Sequence, residues 1–151
     1  MAIKRLNVIA AVSQNRGIGK NNKLPWRIPE DMDFFTQISS AASEGKMNIA
    51  ILGRLTWLSI PPKFRPLPNR INVIVLIAYR SIFNKSLQLS EKLSEDGEAD
   101  EVFVCGGFSL YKAALDQKSY PVRLYYTHIL KDFDCDVFFP TFDWDVFKPI
   151  E

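Results

Sequence analysis

Apolar residues fall in short continuous runs separated by polar turns along the 151-residue chain. Runs of this kind, rather than strict alternation, are typical of strands that are covered on both faces, as in parallel sheets. Five strands are predicted on this basis, at residues 6–13, 48–53, 71–77, 101–105 and 122–131. Turn signals recur roughly every ten to twenty residues, which favours an α/β sheet with helices between its strands.

Helical patterns occupy much of the sequence between these runs. The predicted helices are residues 29–42, with proline in the first turn, 54–60, 86–94 and 108–115. The acidic stretch EDGEADE (95–101) is interpreted as a solvated turn, and residues 137–142 as the start of one more element. Neither a repeat nor a low-complexity linker divides the chain, so residues 1–151 are predicted to form one domain.

Composition and charge narrow the functional classes. With 47% hydrophobic and 24% charged residues, the chain suits a packed core and not a disordered or fibrous protein. Nineteen basic and seventeen acidic residues leave a formal charge of +2, which argues against a nucleic-acid partner or an anionic membrane surface. The N-terminal apolar run is interpreted as a strand, and no run approaches the roughly 20 residues that span a bilayer, so a cytosolic location is expected.

Cysteine and histidine are too scarce to carry much chemistry. Cys105 and Cys135 cannot build a disulfide framework, and a single histidine, His128, disfavours both a zinc site and a histidine base. We expect no metal site. Cys105 is interpreted as a small apolar side chain, and Cys135 and His128 as structural residues.

Asp31 has the most informative local pattern. At about 100° per residue, it shares a face of the predicted helix with Phe34, Phe35, Ile38 and Ala42, whereas its acidic neighbours point away. A carboxylate within an apolar stripe is costly unless it is paired. The pattern indicates either a functional acid or a buried acid that caps a backbone amide or pairs with an arginine, and it leaves both open.

Two further kinds of segment suit ligand binding. Residues 15–26 (NRGIGKNNKLPW) are interpreted either as a mobile lid beside a pocket or as a plain surface loop. The turns ILGRLT (51–56) and VCGGFSLY (104–111) join strands to helices, and their glycines let backbone N–H groups approach a phosphate. Two such turns suit the two ends of a dinucleotide, although neither matches a known phosphate-loop consensus.

Together these motifs resemble dihydrofolate reductase. The similarity runs from Leu6 to about Phe147 through GIGKNNKLPW, Asp31 five residues after Trp26, GRLTWLSIP, RPLPNRIN, VCGGFSLY and YTHILKDFDCDVFFP. The resemblance implies a mixed, mostly parallel central sheet flanked by helices. It also implies NADPH-dependent reduction of 7,8-dihydrofolate to 5,6,7,8-tetrahydrofolate in one-carbon and thymidylate metabolism. A hydride passes to C6 of the pterin and a proton to N5, and antifolates such as methotrexate are expected ligands.

The resemblance also implies roles for individual residues. Asp31 matches the carboxylate that binds the pterin N3 and 2-amino group, and burial should raise its pKa. Thr127 matches a hydroxyl bonded to that carboxylate, Trp26 a tryptophan that holds an ordered water, and Leu24 the tip of the lid. The implied substrate-binding residues are Ile9, Ala11, Met32, Phe35, Ile60, Arg70 and Cys105.

Simpler interpretations stay open for some of these residues. Met32, Phe35 and Ile60 are also interpretable as core side chains, and Arg70 as a surface arginine at the start of a strand. In the family, that arginine binds the glutamate α-carboxylate of folate in bidentate fashion.

The implied cofactor-binding residues lie in the lid, the two glycine turns and the end of a strand. They are Ala11, Ile18, Gly19, Gly53, Arg54, Leu55, Thr56, Leu76, Gly106, Gly107, Ser109, Leu110 and Tyr111. The family usually joins the paired glycines through a cis peptide, and the amides of Ser109 and Leu110 would face the pyrophosphate.

The adenosine side departs from the family. Leu76, Ile77 and Ala78 stand where the family carries serine or threonine and then a basic residue beside the 2′-phosphate. The following stretch is several residues short, and Leu55 adds no charge. The replacement cations considered are Arg54, Arg80 and Lys85. The sequence therefore leaves the preference between NADPH and NADH open.

The last departure concerns the C-terminal part, where the family continues into an antiparallel hairpin that is expected to be missing here. The strand at 122–131 would then be a sheet edge, which invites pairing with another chain. Family members are monomers, but we expect reduced stability, dimerisation or aggregation here. Two alternatives to a reductase are a truncated, catalytically weak homologue that binds folate or nucleotide, and a nucleotide-binding regulatory domain of unrelated ancestry.

Overall fold

A five-stranded parallel sheet carries helices on its faces and has a small antiparallel sheet beside it, in a computed structural model that describes residues 2–77 and 79–150. The strands are β1 (Leu6–Ser13), β2 (Gly17–Gly19), β3 (Met47–Gly53), β4 (Arg70–Val75), β5 (Ala99–Val104), β6 (Val122–Ile129) and β7 (Val137–Phe138). The helices are α1 (Pro29–Ser40), α2 (Arg54–Ser59), α3 (Arg80–Glu95) and α4 (Phe108–Asp116), with short 3-10 turns at Pro62–Phe64 and Trp144–Val146.

The large sheet has the strand order β4-β3-β5-β1-β6, and every neighbouring pair is parallel. The small sheet pairs β2 with β7 in antiparallel fashion. The predicted α/β class with a mostly parallel central sheet is confirmed. Among the described residues β6 pairs with β1 alone, so it forms one edge of the large sheet, as predicted.

Several predicted boundaries were wrong. α3 begins at Arg80 rather than at residue 86, because its first two turns carry too few apolar residues to show a helical stripe. α1 ends at Ser40 rather than at residue 42 because the side-chain amide of Asn48 donates to the carbonyls of Ser39 and Ala41. The element predicted at 137–142 is only the two-residue β7.

The acidic stretch 95–101 is not simply a solvated turn. β5 begins inside it, at Ala99, which is buried. The Asp100 carboxylate accepts hydrogen bonds of 2.8 Å from the Ser43 backbone amide and hydroxyl, and Glu101 pairs with Arg5 at 3.0 Å. The start of β5 was not predicted because its charged residues lie where the sheet borders solvent, and charged residues do not show the apolar pattern of a strand.

The core fills the space between the large sheet and helices α3 and α4. Alternate residues of β1, from Leu6 to Val12, point into it, and Phe83 and Leu110 come from the helices. The opposite face of β1 looks toward α1, where the packing opens into a cleft. No helix in residues 2–77 or 79–150 is long and apolar enough to cross a membrane.

Candidate active site

A cleft of about 1600 Å³ opens at the carboxyl edge of the large sheet, under α1. Ligands of open α/β sheets bind in such crevices. The cleft exists because β1 follows β5 only from Leu6 to Val8, while it stays paired with β6 along its whole length. Beyond Val8, the chain after β5 turns away through Gly106 and leaves the end of β1 uncovered.

Asp31 faces this cleft from the first turn of α1. Burial raises the pKa of its carboxyl group, and a hydrogen bond from the Thr127 hydroxyl, at the end of β6, lowers the pKa and only partly offsets the burial. No salt bridge to Asp31 occurs in the described part of the chain. The interpretation of Asp31 as an acid paired with arginine is therefore wrong.

The apolar stripe around Asp31 lines the cleft and does not pack into a closed core. Phe34 is 39% exposed and Met32 is 47% exposed, and Ser39 is the only buried residue of α1. The core interpretation of Met32 was wrong because α1 spans an open crevice. Phe35 and Ile60 are half-buried and line the same crevice.

Trp26 lines the same cleft as Asp31. Its ring is buried and lies 5.2 Å from the ring of Phe133, measured between centroids. The indole Nε1 is buried and has no hydrogen-bond partner among the described residues. Because a buried indole N–H nearly always has an acceptor, this donor suits a bound polar molecule in the cleft.

Arg70 is buried to 5% exposure at the start of β4, so it is not a surface arginine. Its Nε donates to the Pro68 carbonyl at 2.9 Å and its Nη1 to the Ser39 hydroxyl at 2.8 Å, and its guanidinium lies 5.6 Å from the Phe35 ring centroid. Burial lowers its pKa. A buried guanidinium held by neutral partners at the cleft wall is suited to an anionic ligand.

The two glycine turns lie side by side on adjacent strands. The Gly53 amide donates to the Gly106 carbonyl at 2.8 Å, and the Thr56 hydroxyl lies next to Gly106 and Gly107. Gly106 has a φ of +117°, which a side chain would strain, and the peptide bond between the two glycines is cis, as the resemblance implied.

Helix α4 begins immediately after these glycines. The amide of Tyr111 makes the first bond of the helix, to the Gly107 carbonyl at 3.0 Å, so the amides of Ser109 and Leu110 precede the helical ladder. Free amides and the positive end of a helix favour an anion at this point of the cleft.

Cys105 immediately precedes these glycines in the chain and lies near Arg70. Burial raises the pKa of its thiol to about 12, although the nearby Arg70 charge lowers it. A thiol with this pKa is protonated near neutral pH, which agrees with a small apolar side chain.

The segment predicted as a lid or a plain loop, residues 15–26, is partly anchored. Its first half is tied to the chain near β7: Asn15 Nδ2 donates to the Phe133 carbonyl at 2.8 Å and an Arg16 guanidinium nitrogen to the Phe139 carbonyl at 2.7 Å. β2 adds its pairing with β7. The second half, with Leu24 exposed at 49%, borders the cleft.

Every residue predicted for the site lines this one cleft, including those of the lid, both glycine turns, Leu76 and Tyr111. Their individual roles stay predictions. Of the three candidate cations, Arg54 lines the cleft, whereas Arg80 and Lys85 are exposed on α3 and do not. Ala78 lies outside the described residues.

One wall of the cleft was missed by sequence reasoning. It is formed by residues 61–68 (PPKFRPLP), of which Pro61, Lys63, Phe64, Pro66, Leu67 and Pro68 line the cleft. This proline-rich segment has neither helical nor strand periodicity. Its position between Ile60 and Arg70, two predicted substrate-binding residues, is the signal that could have found it.

Comparison with known proteins decides the family. The family model described as dihydrofolate reductase matches residues 5–151. The chain belongs to the dihydrofolate reductase family. It is 45% identical to a dihydrofolate reductase of Schistosoma mansoni, over 97% of this chain and 84% of that protein. It is 40% identical to the Bos taurus enzyme over the same shares.

The fold agrees with this assignment. A solved structure of Schistosoma mansoni dihydrofolate reductase aligns with a TM-score of 0.85 and 45% identity, covering 99% of this chain and 86% of that one. The chain is accordingly an oxidoreductase of folate metabolism that reduces 7,8-dihydrofolate, and its family generally uses NADPH. No finding favours a weak binding homologue over the reductase, and an origin outside the family is excluded.

Proposed function

We propose that the cleft binds dihydrofolate and NADPH together and that Asp31 orients and helps to protonate the pterin. The observation that carries this proposal is the position of Asp31: a single carboxylate with a raised pKa, bonded to Thr127 and facing the same cleft as the glycine turns. A charged group at the mouth of a β-sheet crevice with a perturbed pKa is a strong candidate for acid-base chemistry.

The excess of positive charge among the residues that line the cleft supports the binding of two anionic ligands. Among the described residues that line it, five are basic and one, Asp31, is acidic. The five are Lys23, Arg27, Arg54, Lys63 and Arg70. Dihydrofolate ends in carboxylates and NADPH carries phosphates, so both suit this excess. Arg70 would hold the α-carboxylate of folate through its planar guanidinium.

The residues around the glycine turns fit NADPH. The amides of Ser109 and Leu110, with the Thr56 hydroxyl and the Arg54 guanidinium, would hold the pyrophosphate. Ala11, Ile18, Gly19, Leu55, Leu76 and Tyr111 would line the rest of the dinucleotide. When bound, NADPH supplies the hydride that the reduction requires.

The chain's own contribution is alignment and one proton. The Asp31 carboxylate would accept hydrogen bonds from the pterin N3 and 2-amino group, which favours protonation at N5. Trp26 Nε1 would hold a water beside the ring, and Leu24 would exclude bulk solvent. Met32, Phe35 and Ile60 would form apolar walls, and the carbonyls of Ile9 and Cys105 would face the ring edge.

The experiment follows NADPH absorbance during reaction with dihydrofolate, for the unaltered protein and for Asp31→Asn. We expect turnover by the former and a loss of about 10² to 10⁴ in kcat near neutral pH for the variant, with NADPH affinity retained. Asp33→Asn, an exposed neighbour, is the matched control. Methotrexate binding without turnover would contradict the proposed activity and favour a binding protein.

Location and antifolate binding follow as proposals. We expect methotrexate to compete with dihydrofolate for the cleft. A cytosolic location also stays a prediction.

A further inference from the structure

The strand order of the large sheet indicates where the adenosine end of a bound dinucleotide would lie. This inference rests on the proposed function. Thr127 lies near the carboxyl end of β6, which is one edge of the large sheet, and β4 is the other edge. A dinucleotide with its nicotinamide near Asp31 and its pyrophosphate on the turns after β5 and β3 extends toward the end of β4. There, Leu76 follows the last strand residue and lines the cleft.

The side chains at this end carry no phosphate-binding group. Leu76 is 67% exposed and Ile77 is 53% exposed, although the sequence pattern had predicted both inside the strand. Neither can donate a hydrogen bond or carry a charge. Ala78, the next residue in the sequence, has no polar side chain either. Leu76 therefore lines this end of the cleft without a polar group, and Ile77, exposed next to it in the chain, adds none.

Few of the described residues that line the cleft bring charge to this end. Among the described residues that line the cleft, Arg54 is the only basic one on the glycine turns or just after β4. Its side chain is exposed, so water and salt screen its attraction for a phosphate. Asp31, the one carboxylate among the described residues that line the cleft, lies at the opposite end, so none of these residues repels a phosphate at the adenosine end.

NADPH and NADH differ only in a phosphate on the 2′-oxygen of the adenosine ribose. Enzymes that prefer NADPH place arginine or other donors there, and those that prefer NADH place a carboxylate. The adenosine end of this cleft has neither a full set of phosphate donors nor a carboxylate among the described residues that line it. We propose that the enzyme discriminates weakly between the two cofactors and uses NADH nearly as well as NADPH, because Leu76 and the adjacent Ile77 offer no donor near the 2′ position and Arg54 is the one cation among the described residues that line this end of the cleft.

The test compares kcat/KM for NADPH and NADH at saturating dihydrofolate. One exposed ionic contact typically changes an equilibrium by less than tenfold, so we expect a ratio within about tenfold. A larger ratio overturns the inference. Turnover with NADPH alone overturns it without affecting the proposed function, whereas absence of dihydrofolate binding and of turnover with either cofactor removes both.

Variants test the placement of the subsite. Ile77→Arg should raise the ratio severalfold, up to about tenfold, by lowering KM for NADPH, whereas Ile77→Gln, which adds length without charge, should not. Arg54→Gln should lower kcat/KM for both cofactors, because Arg54 also faces the pyrophosphate, and should lower it further for NADPH, so that the ratio comes close to one. Arg80→Gln, outside the cleft, should leave the ratio unchanged. An unchanged ratio in Ile77→Arg, or a collapse of the ratio in Arg80→Gln, would place the 2′ group elsewhere and overturn the inference.

Discussion

The phenol of Tyr111 donates a hydrogen bond of 2.8 Å to the backbone carbonyl of Ile9, across 102 residues of sequence. This carbonyl points toward β5 at the level where β5 no longer follows β1. The Tyr111 phenol thus donates the hydrogen bond that β5 no longer provides at this position. Burial raises the pKa of the phenol, so it remains a donor through the alkaline range.

Tyr111→Phe should lower the free energy of unfolding by about 1–3 kcal/mol, because the buried Ile9 carbonyl loses this donor. Urea denaturation at neutral pH measures the change. Tyr79→Phe, at an exposed position before α3, is the control and should have no effect. Equal stability of the Tyr111 variant and the unaltered protein would show that another donor reaches the carbonyl.

Asp31→Asn should stabilise the protein at neutral pH even as it removes activity. Because burial raises the pKa of Asp31 in the folded state, the folded protein holds this proton more tightly than the unfolded chain does. The free energy of unfolding of the unaltered protein therefore falls as pH rises through the pKa of folded Asp31, and the fall is complete above that pKa. Denaturation as a function of pH should show the variant's advantage above the pKa and none in strong acid. A constant difference at all pH values would contradict the assignment.

Thr127→Val should raise the pKa of Asp31 further, since the hydroxyl that lowers it is gone. The acid limb of the pH profile of kcat/KM should move upward, which a purely structural role of Thr127 would not produce. Thr127→Ser keeps the hydroxyl and should restore the original midpoint. If the serine and valine variants share one profile, the hydrogen bond does not set this pKa.

Gly17→Ala should destabilise the anchored half of the 15–26 segment. A Cβ on Gly17 would overlap the Cys135 side chain, so the β2–β7 pairing must shift, at a cost of about 1–3 kcal/mol. The neighbouring Gly19→Ala is the control, because its Cβ would meet only ordinary contacts, 3.5 Å from the Lys23 carbonyl and 3.9 Å from Val137. Thermal unfolding compares them, and equal melting temperatures would contradict the close approach.

Self-association through β6 is the remaining prediction. The Leu6 amide bonds to the Pro121 carbonyl, so alternation along the strand directs the amides of Leu124, Tyr126 and His128 away from β1. We expect sedimentation velocity to show association that grows with concentration. His128→Pro removes one outward amide and should weaken association, whereas His128→Gln should not. A monomer at all concentrations would argue against edge pairing.

The sequence predicted strands better than helices, for a physical reason. β1 is buried on both faces, so its continuous apolar run marks both of its ends. The same rule extended the predicted strand 71–77 beyond the observed end of β4 at Val75, because Leu76 and Ile77 are apolar yet exposed. Leu76 lines the cleft, and exposure to a cleft formed by distant parts of the chain leaves no local pattern in the sequence.

The residues of the site could be predicted only from several sequence motifs taken together. Periodicity placed Asp31 within an apolar stripe but could not distinguish a closed core from a ligand cleft. The order of motifs supplied the rest, and it brought together residues as distant as Ile9 and Thr127. The wall at 61–68 stayed hidden, because its position depends on tertiary contacts rather than on any repeat in its sequence.

The anchor of the loop at 15–20 has a consequence for biosynthesis. Every residue assigned to ligand binding precedes residue 128, yet that loop is tied down by residues 133–139, as in the bond from Asn15 to Phe133 across 118 positions. A nascent chain halted shortly after Thr127 on the ribosome would possess all of its ligand-binding side chains. Its loop would still lack the anchors that residues 133–139 provide, so we expect the growing chain to bind its ligands only after those residues have been added.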